Sequence, residues 1–255
     1  MPLRLLRGGF AVRDGGADQV DSQHGAGVDD APRAVAADAS RPPRSRPMAD
    51  LRAGRGTEPR RVRLAFAAGD VVVVSGLPGS GKSTLIRRVV PALDGRGGPV
   101  RTIDAQDVRE AWERRLPSWL PYAVYRPGVR VAHYARLGRA LRSGDSVVVH
   151  DCGGNGWVRR WAARRARRRR SLVHLVLVDV PPRQAVQGQV LRGRTVSRRA
   201  FARHRRAVGR LVAGAEAGRL PGGCASVVLL DRAAATALRA IAFDRPPAGG
   251  CDGTK

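Results

Sequence analysis

Residues 71–84 read VVVVSGLPGSGKST, and this stretch decides the fold of the chain. The four valines form an unbroken β-branched run that is typical of a strand buried on both faces. Residues 76–84 then match the phosphate-binding pattern G-x-x-x-x-G-K-[ST]. An amphipathic helical stretch follows from Lys82 to Val90 and ends before Pro91. A strand, a loop and a helix in this order aim backbone N–H groups and a helix N-terminus at a phosphate.

The single lysine of this loop is its most informative residue. The chain has 47 basic residues, and the only lysines among them are Lys82 and the terminal Lys255. An ammonium is a compact point charge that fits between the β- and γ-phosphates of a nucleotide, whereas a planar guanidinium would collide with the loop. Lys82 is therefore a candidate catalytic residue. The predicted nucleotide-binding residues are Gly76, Leu77, Pro78, Gly79, Ser80, Gly81, Lys82, Ser83 and Thr84.

Composition predicts one good-sized domain without a membrane span. An apolar fraction of 43% is enough for a packed core, and with 4% aromatic residues that core must consist mainly of Val, Leu and Ala. No apolar run approaches the ~18 residues of a membrane helix, and the N-terminal apolar stretch is too short for a signal peptide. The three cysteines, Cys152, Cys224 and Cys251, have neither zinc spacing nor a disulfide pattern. We therefore expect a cytoplasmic protein.

The positive charge is concentrated beyond residue 60. Residues 1–60 carry 10 arginines and 8 acidic residues, whereas residues 61–255 carry 37 basic and 13 acidic residues. Such a domain could bind nucleic acid. However, arginine-rich coding bias and solvated helix faces also explain the excess, and no RNP-like motif with interleaved aromatic residues occurs. Nucleic acid is thus a partner that the charge allows but that the motifs do not favour.

The chain divides into three segments. Residues 1–60 show no sustained period and are rich in Gly, Ala, Asp, Arg and Pro, so we expect a disordered, low-complexity tail that adds nothing to stability. Translation from Met48 instead of Met1 is a hypothesis that the sequence leaves open. Residues 61–243 form the predicted nucleotide-binding domain, and residues 244–255 a flexible C-terminal tail.

Strands alternate with helices from residue 68 onward. This alternation predicts an α/β protein with the three-layer fold of P-loop NTPases, in which helices cover both faces of a five-stranded parallel sheet. The predicted strands are 71–75, 100–103, 147–150, 172–178 and 225–230, and a final helix is expected to reach Phe243. Ligands of such sheets bind beyond the carboxyl ends of the strands. Asp104 and Asp151 occupy two of these ends and are candidate site residues.

Four motifs together resemble the P-loop kinase family, which includes adenylylsulfate kinase, gluconate kinase, polynucleotide kinase and zeta-toxin-like proteins. After the loop they read IDAQDVR at 103–109, VVVHDC at 147–152 and VLRGRTVS at 190–197. Members are often described as AAA-type ATP-binding domains. The resemblance spans residues 70–243 and implies ATP and Mg²⁺ as cofactors. It leaves the acceptor of the phosphoryl group unidentified.

The resemblance also implies roles for individual residues. Asp104 aligns with an acid that orients or deprotonates the acceptor hydroxyl, and Arg109 with an arginine that holds the acceptor's anionic group. The second acid of the family motif is replaced by Gln106, which cannot accept a proton, so the base is Asp104 or else Asp107.

RGRTVS occupies the place of the family's lid, where Arg194 would close over the phosphates. Mg²⁺ would be held by Ser83 with Asp151, directly or through water.

Three functions follow as hypotheses. The first is an ATP-dependent kinase acting on a hydroxyl of a small or nucleotide-like molecule. The second is a regulatory module that binds ATP without transferring phosphate, which the replacement at Gln106 favours. The third is a kinase acting on nucleic-acid ends, which the charge favours. We expect His150 to be a packed strand residue, and the oligomeric state is not predicted.

Overall fold

The computed structural model describes residues 11–14, 47–53, 62–151, 156–191, 193 and 196–244. The strands within these residues are β1 (Ala11–Asp14), β2 (Met48–Asp50), β3 (Val62–Ala67), β4 (Val71–Gly76), β5 (Val100–Ile103), β6 (Ser146–His150), β7 (Val173–Val178), β8 (Ser226–Leu230) and β9 (Leu238–Asp244). The helices are α1 (Lys82–Val89), α2 (Ala105–Glu113), α3 (Tyr122–Ser143), α4 (Gly156–Arg167), α5 (Pro182–Val190), α6 (Arg198–Glu216) and α7 (Arg232–Ala237). No helix of the described part of the chain is both long and apolar enough to cross a bilayer.

The main sheet has six parallel strands in the order β2-β8-β7-β4-β6-β5. The predicted α/β class and the parallel sheet are confirmed, and the predicted count of five strands is short by one, because β2 joins the edge. β4 lies in the middle, between β6 and β7. The loop after β4 and the residues after β5 and β6 therefore meet at the same edge of the sheet.

The four valines of β4 explain why this strand is central. Val71 and Val73 belong to the core on the face covered by α3, α4 and α6. Val72 and Val74 belong to the core on the opposite face, beneath α1 and the strands β3 and β9. A strand that alternates between two buried faces needs apolar residues at every position, which is what this run supplies.

A second, smaller sheet was not predicted. Its order is β1-β3-β9, with β1 antiparallel and β9 parallel to β3. The expected final helix is wrong beyond Ala237, where α7 ends and β9 begins. Ile241 and Phe243, two positions apart, are buried with Phe66 in one core cluster. Pairing with β3 thus outweighs the helical preference of the preceding alanines.

Within residues 1–60, where we expected a disordered tail, the structure describes β1 and residues 47–53. Met48 pairs with Val227 in register, which makes β2 an edge strand. The Arg52 guanidinium then reaches carboxylate oxygens of Asp50, Asp179 and Glu216 at 2.7, 2.8 and 2.7 Å. A three-residue strand carries too little periodicity to be seen in sequence, and its ion pairs join residues far apart in the chain. The rest of residues 1–60, like 245–255, lies outside the described residues.

A serine, a histidine and an aspartate meet at the amino ends of the strands. His174 bonds Ser226 Oγ through Nδ1 at 2.7 Å and Asp70 Oδ2 through Nε2 at 3.0 Å. All three side chains are buried, with His174 only 1% exposed. No substrate can reach them, and they lie at the sheet edge opposite the phosphate loop. This network ties β7 and β8 to the turn before β4 rather than forming a hydrolytic site.

The ion pairs of Arg52 predict that residues 47–53 stabilise the domain. We expect a chain beginning at residue 61 to melt roughly 5 °C or more below one beginning at Met48, because it lacks β2 and the contacts of Arg52 with Asp179 and Glu216. Arg52→Ala in the full chain should reproduce part of this loss. Arg63→Ala, which removes a solvent-exposed pair with Asp244, is the matched control and should change little. Equal melting temperatures for the two shortened chains, measured by circular dichroism, would contradict the assignment.

Candidate active site

The phosphate loop encloses the ammonium of Lys82. The Lys82 side chain is buried, and its Nζ donates to the carbonyl oxygens of Gly76 at 2.9 Å and Leu77 at 2.7 Å, with Ser80 Oγ at 3.4 Å. These oxygens offset the cost of removing a charge from water. α1 begins at Lys82 itself, directly after Gly81 in left-handed backbone (φ 93°). The loop therefore combines a fixed cation with a helix N-terminus, an arrangement that binds anions.

The shape of the loop depends on contact with α5. Gly79 has φ 86°, and a Cβ placed there would lie 2.0 Å from the carbonyl oxygen of Ala185. A Cβ on Gly188 would lie 2.3 Å from the carbonyl oxygen of Gly79. Two backbones this close leave no room for a side chain, so both positions require glycine. The helix that follows β7 thus sets the conformation of the loop that follows β4.

Gln189 links the loop to the segment before α6. This side chain is buried, its Nε2 donates to the carbonyl oxygen of Pro78 at 3.1 Å, and its Oε1 accepts from Val196 N at 3.1 Å. Sequence reasoning missed it, although its spacing from Ala185 and Gly188 places all three on one face of α5. Arg194 lies outside the described residues, so its lid role stays a prediction.

Asp104 lies where β5 gives way to α2. Its Oδ1 accepts from Gln106 N and bonds His150 Nδ1, both at 2.9 Å, and its Oδ2 lies 3.5 Å from Ser83 Oγ. The register that pairs Ile103 with Val149 explains the contact, because Asp104 and His150 are the next residues on adjacent strands. We expected His150 to be merely packed, and it instead binds the main candidate carboxylate. Only knowledge of the strand order could have revealed this.

The pKa values of Asp104 and Asp107 are shifted in opposite directions. Burial would raise the pKa of Asp104, but bonds from His150 and the Gln106 backbone hold it below the ordinary value. Burial raises the pKa of Asp107, and the nearby charge of Asp104 raises it further. A carboxylate with a low pKa is a good ligand for a cation and a weak base, whereas one with a raised pKa is a stronger base. Of the two carboxylates, Asp107 therefore has the higher affinity for a proton.

Both carboxylates line one cavity of about 450 Å³ between α1, β5 and α2. Ser83 opens into the same cavity, and Arg87 stands on its α1 side. The cavity therefore adjoins the phosphate loop through Ser83 and presents three acids, Asp104, Asp107 and Glu110, to a molecule that enters it. Its volume is sufficient for a small molecule.

The residues present fit Mg²⁺ in the way that phosphate-binding proteins use it. Mg²⁺ takes one or two protein oxygens and completes its shell with phosphates and water. The Ser83 hydroxyl and the Asp104 carboxylate are neighbouring oxygen donors of this kind. Among the described residues no group of three or more His, Cys, Asp or Glu side chains forms a metal cage.

Asp151, the metal ligand predicted from sequence, has another partner. Its Oδ2 lies 3.2 Å from Arg159 Nη1, and Arg159 is buried. The contact of Ser83 is with Asp104, so the geometry favours Asp104 over Asp151 for direct coordination. Asp151 lines a small inner cavity with His150 and His133. A role through water stays a prediction.

Arg109, predicted to bind the acceptor, points to other groups. Its Nε lies 2.6 Å from Glu113 Oε1, and its guanidinium lies 4.2 Å from the centre of the Tyr122 ring. Arg109 does not line the cavity of Asp104 and Asp107. Its predicted role has no support from these contacts and stays a prediction.

The comparisons with known proteins come from one family model and several solved structures. A model described as an AAA domain matches residues 71–216. No curated protein sequence matches the chain at a significant level. A structure from Chloroflexus aurantiacus, assigned as a kinase, is 16% identical with a TM-score of 0.42 and covers 64% of this chain and 87% of its own.

Two further structures show similar values. The tunicamycin resistance protein of Deinococcus radiodurans is 13% identical with a TM-score of 0.36, covering 59% of this chain and 84% of its own. Shikimate kinase of Bacteroides thetaiotaomicron is 15% identical with a TM-score of 0.32, covering 64% of this chain and 86% of its own. At such low identities and TM-scores, these likenesses carry no information about function.

The bonds of Gln189 predict that it supports nucleotide binding. Gln189→Leu keeps the volume but leaves the Pro78 carbonyl and the Val196 N–H without their partner. We expect the affinity for Mg-ATP, measured by calorimetry, to fall roughly tenfold, since the lost bonds are each worth about 1 kcal/mol or more. Gln187→Leu, at an exposed position of the same helix, is the control. Equal affinities for the two variants would show that Gln189 does not position the loop.

Proposed function

Because an AAA-domain model matches 71–216, the chain belongs to this P-loop, kinase-like family, and we propose that it is an ATP-dependent kinase acting on a hydroxyl group. The observation that supports the proposal most is the junction of two sites at Ser83. This residue belongs to the phosphate loop and also lines the cavity of Asp104 and Asp107. A phosphate donor and a hydroxyl acceptor can therefore meet there, as transfer between them requires.

In this proposal the loop binds the phosphates of ATP through its backbone N–H groups and Lys82. Bound Mg²⁺ supplies charge neutralisation on the transferring phosphoryl group. Ser83 and Asp104 would hold the metal, and the hydrogen bond from His150 fixes the orientation of Asp104. Asp151 assists through water. Arg194 would add positive charge over the phosphates from the lid.

The acceptor occupies the cavity beside α2. Asp107 orients its hydroxyl and accepts the proton, because its pKa is raised whereas that of Asp104 is lowered. Gln106 cannot serve as a base, and its side-chain amide bonds Glu110 at 2.8 Å. The acceptor is a small or nucleotide-like molecule, because the cavity holds about 450 Å³.

A module that binds ATP without transferring phosphate is the second candidate, and the amide at position 106 favours it. The two are separated by incubating the purified full chain with Mg²⁺ and γ-labelled ATP in the presence of sugars, nucleosides and 5′-hydroxyl oligonucleotides. Transfer to any acceptor supports the kinase. ATP binding without transfer to any member of the panel supports the module.

The two aspartates predict separable defects. Asp107→Asn should lower turnover by roughly 10²-fold or more while leaving ATP affinity nearly intact. Asp104→Asn should weaken Mg²⁺-dependent ATP binding. Because an ionised base is required, kcat/KM of the unmodified protein should fall with decreasing pH through the raised pKa of Asp107, above the ordinary value of about 3.9. Asp107→Asn should lose this acid limb.

Glu110→Gln is the matched control, since Glu110 lines the same cavity. It should preserve the acid limb. If Asp104→Asn abolishes turnover with ATP binding intact while Asp107→Asn stays active, the base is Asp104 instead.

A further inference from the structure

Two open grooves adjoin on the outer surface of α3 and α4, the helices that cover one face of the sheet. Their volumes are about 670 and 530 Å³. Val131 and Tyr134 line both grooves, so the two form one continuous depression, which we call the α3–α4 groove. It is lined by Ala123, Arg126, Pro127, Arg130, Val131 and Tyr134 of α3, with Trp157 of α4, and continues along Ala135, Gly138, Arg139, Arg142 and Trp161.

Aromatic rings form part of this surface. Tyr134 and Trp157 meet edge to face with their ring centres 5.1 Å apart. Trp157 is 50% exposed, whereas Trp161 packs partly against the core. Two of the chain's four tryptophans thus lie in the groove. A half-exposed tryptophan leaves apolar surface in contact with water, and it offers the flat face of its ring to a ligand.

The charge of the groove has one sign. The described residues that line it include four arginines, Arg126, Arg130, Arg139 and Arg142, and no acidic residue. Among the described residues none of these four makes an ion pair, in contrast to Arg52, which contacts three carboxylates. The first and the last, Arg126 and Arg142, are 16 positions apart on α3, or about 24 Å at 1.5 Å per residue. The groove therefore carries two pairs of arginines, Arg126 with Arg130 and Arg139 with Arg142, beside aromatic rings.

We propose that the α3–α4 groove binds single-stranded nucleic acid. The arginines would contact successive phosphates, and exposed rings such as Trp157 would stack on unpaired bases, which is how sequence-tolerant single-strand sites are built. A length of about 24 Å suits a few nucleotides. The arginines and Tyr134 lie on α3 and the two tryptophans on α4, so the fold brings the tryptophan rings to the cations.

Charge and shape argue against other occupants. A second copy of the chain would bring the arginines of two grooves together, and their like charges would repel each other. A duplex hides its bases, so it could use the cations and not the rings. An acidic peptide would match the charge but would leave Trp157 without a planar partner. Binding in the α3–α4 groove needs no phosphoryl transfer and stands apart from the kinase proposal.

Fluorescence anisotropy of labelled 12-nucleotide oligo(dT) and oligo(U), without ATP, tests the proposal across 50–200 mM salt. The double variant Arg126→Gln, Arg130→Gln should bind more weakly. The slope of log K against log[salt] should also become shallower by about 1.4, at about 0.7 per lost phosphate contact. The charge-matched control Arg210→Gln, Arg239→Gln changes two exposed arginines of α6 and β9 and should keep the original slope.

The ring contribution is tested at Trp157. Trp157→Ala should weaken single-strand binding roughly tenfold, whereas Trp157→Phe should retain most of it, because stacking needs a ring. Melting temperatures show whether each variant folds. If Trp157→Ala does not fold, the variant of Arg126 and Arg130 still tests the groove. Equal losses in the two arginine pairs would overturn the proposal. So would a 12-base-pair duplex or a glutamate peptide that binds as tightly as the single strand.

Discussion

The burial of the Lys82 ammonium is the constraint around which the rest of the site is arranged. A charge removed from water needs oxygen atoms around it, and the carbonyl groups of Gly76 and Leu77 supply them only if the loop curls back on itself. That curvature requires left-handed glycines, and Gly79 then lies directly against the backbone of α5. The loop can hold this shape because β4 is anchored at the centre of the sheet by valines that pack into both cores.

Two carboxylates at the edge of the sheet next to the loop have different environments and therefore different pKa values. Asp104 receives hydrogen bonds from a neighbouring strand and from its own helix, which favour its ionised form. Burial raises the pKa of Asp107, one turn into α2, and the nearby charge of Asp104 raises it further. Carboxylates whose pKa values are pushed apart can divide the tasks of binding a cation and accepting a proton. The polar groups of this edge therefore have distinct chemistry although they look alike in sequence.

Some of this architecture could be read from sequence, and some could not. The valine run, the loop and the alternation of elements predicted the parallel sheet, because burial on two faces leaves a local signature. The order of the strands leaves no such signature in the sequence. The contact of Asp104 with His150 therefore became visible only in the structure, where β5 and β6 are neighbours. β2 was invisible for a related reason, since its ion pairs through Arg52 join residues more than a hundred positions apart. The α3–α4 groove likewise depends on which helices adjoin.

The most direct test of the central claim is the affinity of Mg-ATP for Lys82→Arg, measured by calorimetry beside Lys82→Ala and the unmodified protein. In a chain whose other internal basic residues are all arginine, this variant keeps the charge and changes only its shape. If a compact buried ammonium is what the loop requires, Lys82→Arg should lose affinity as severely as Lys82→Ala, with melting temperature used to exclude unfolding. Retention of the original affinity by Lys82→Arg would contradict the account, because charge alone would then suffice.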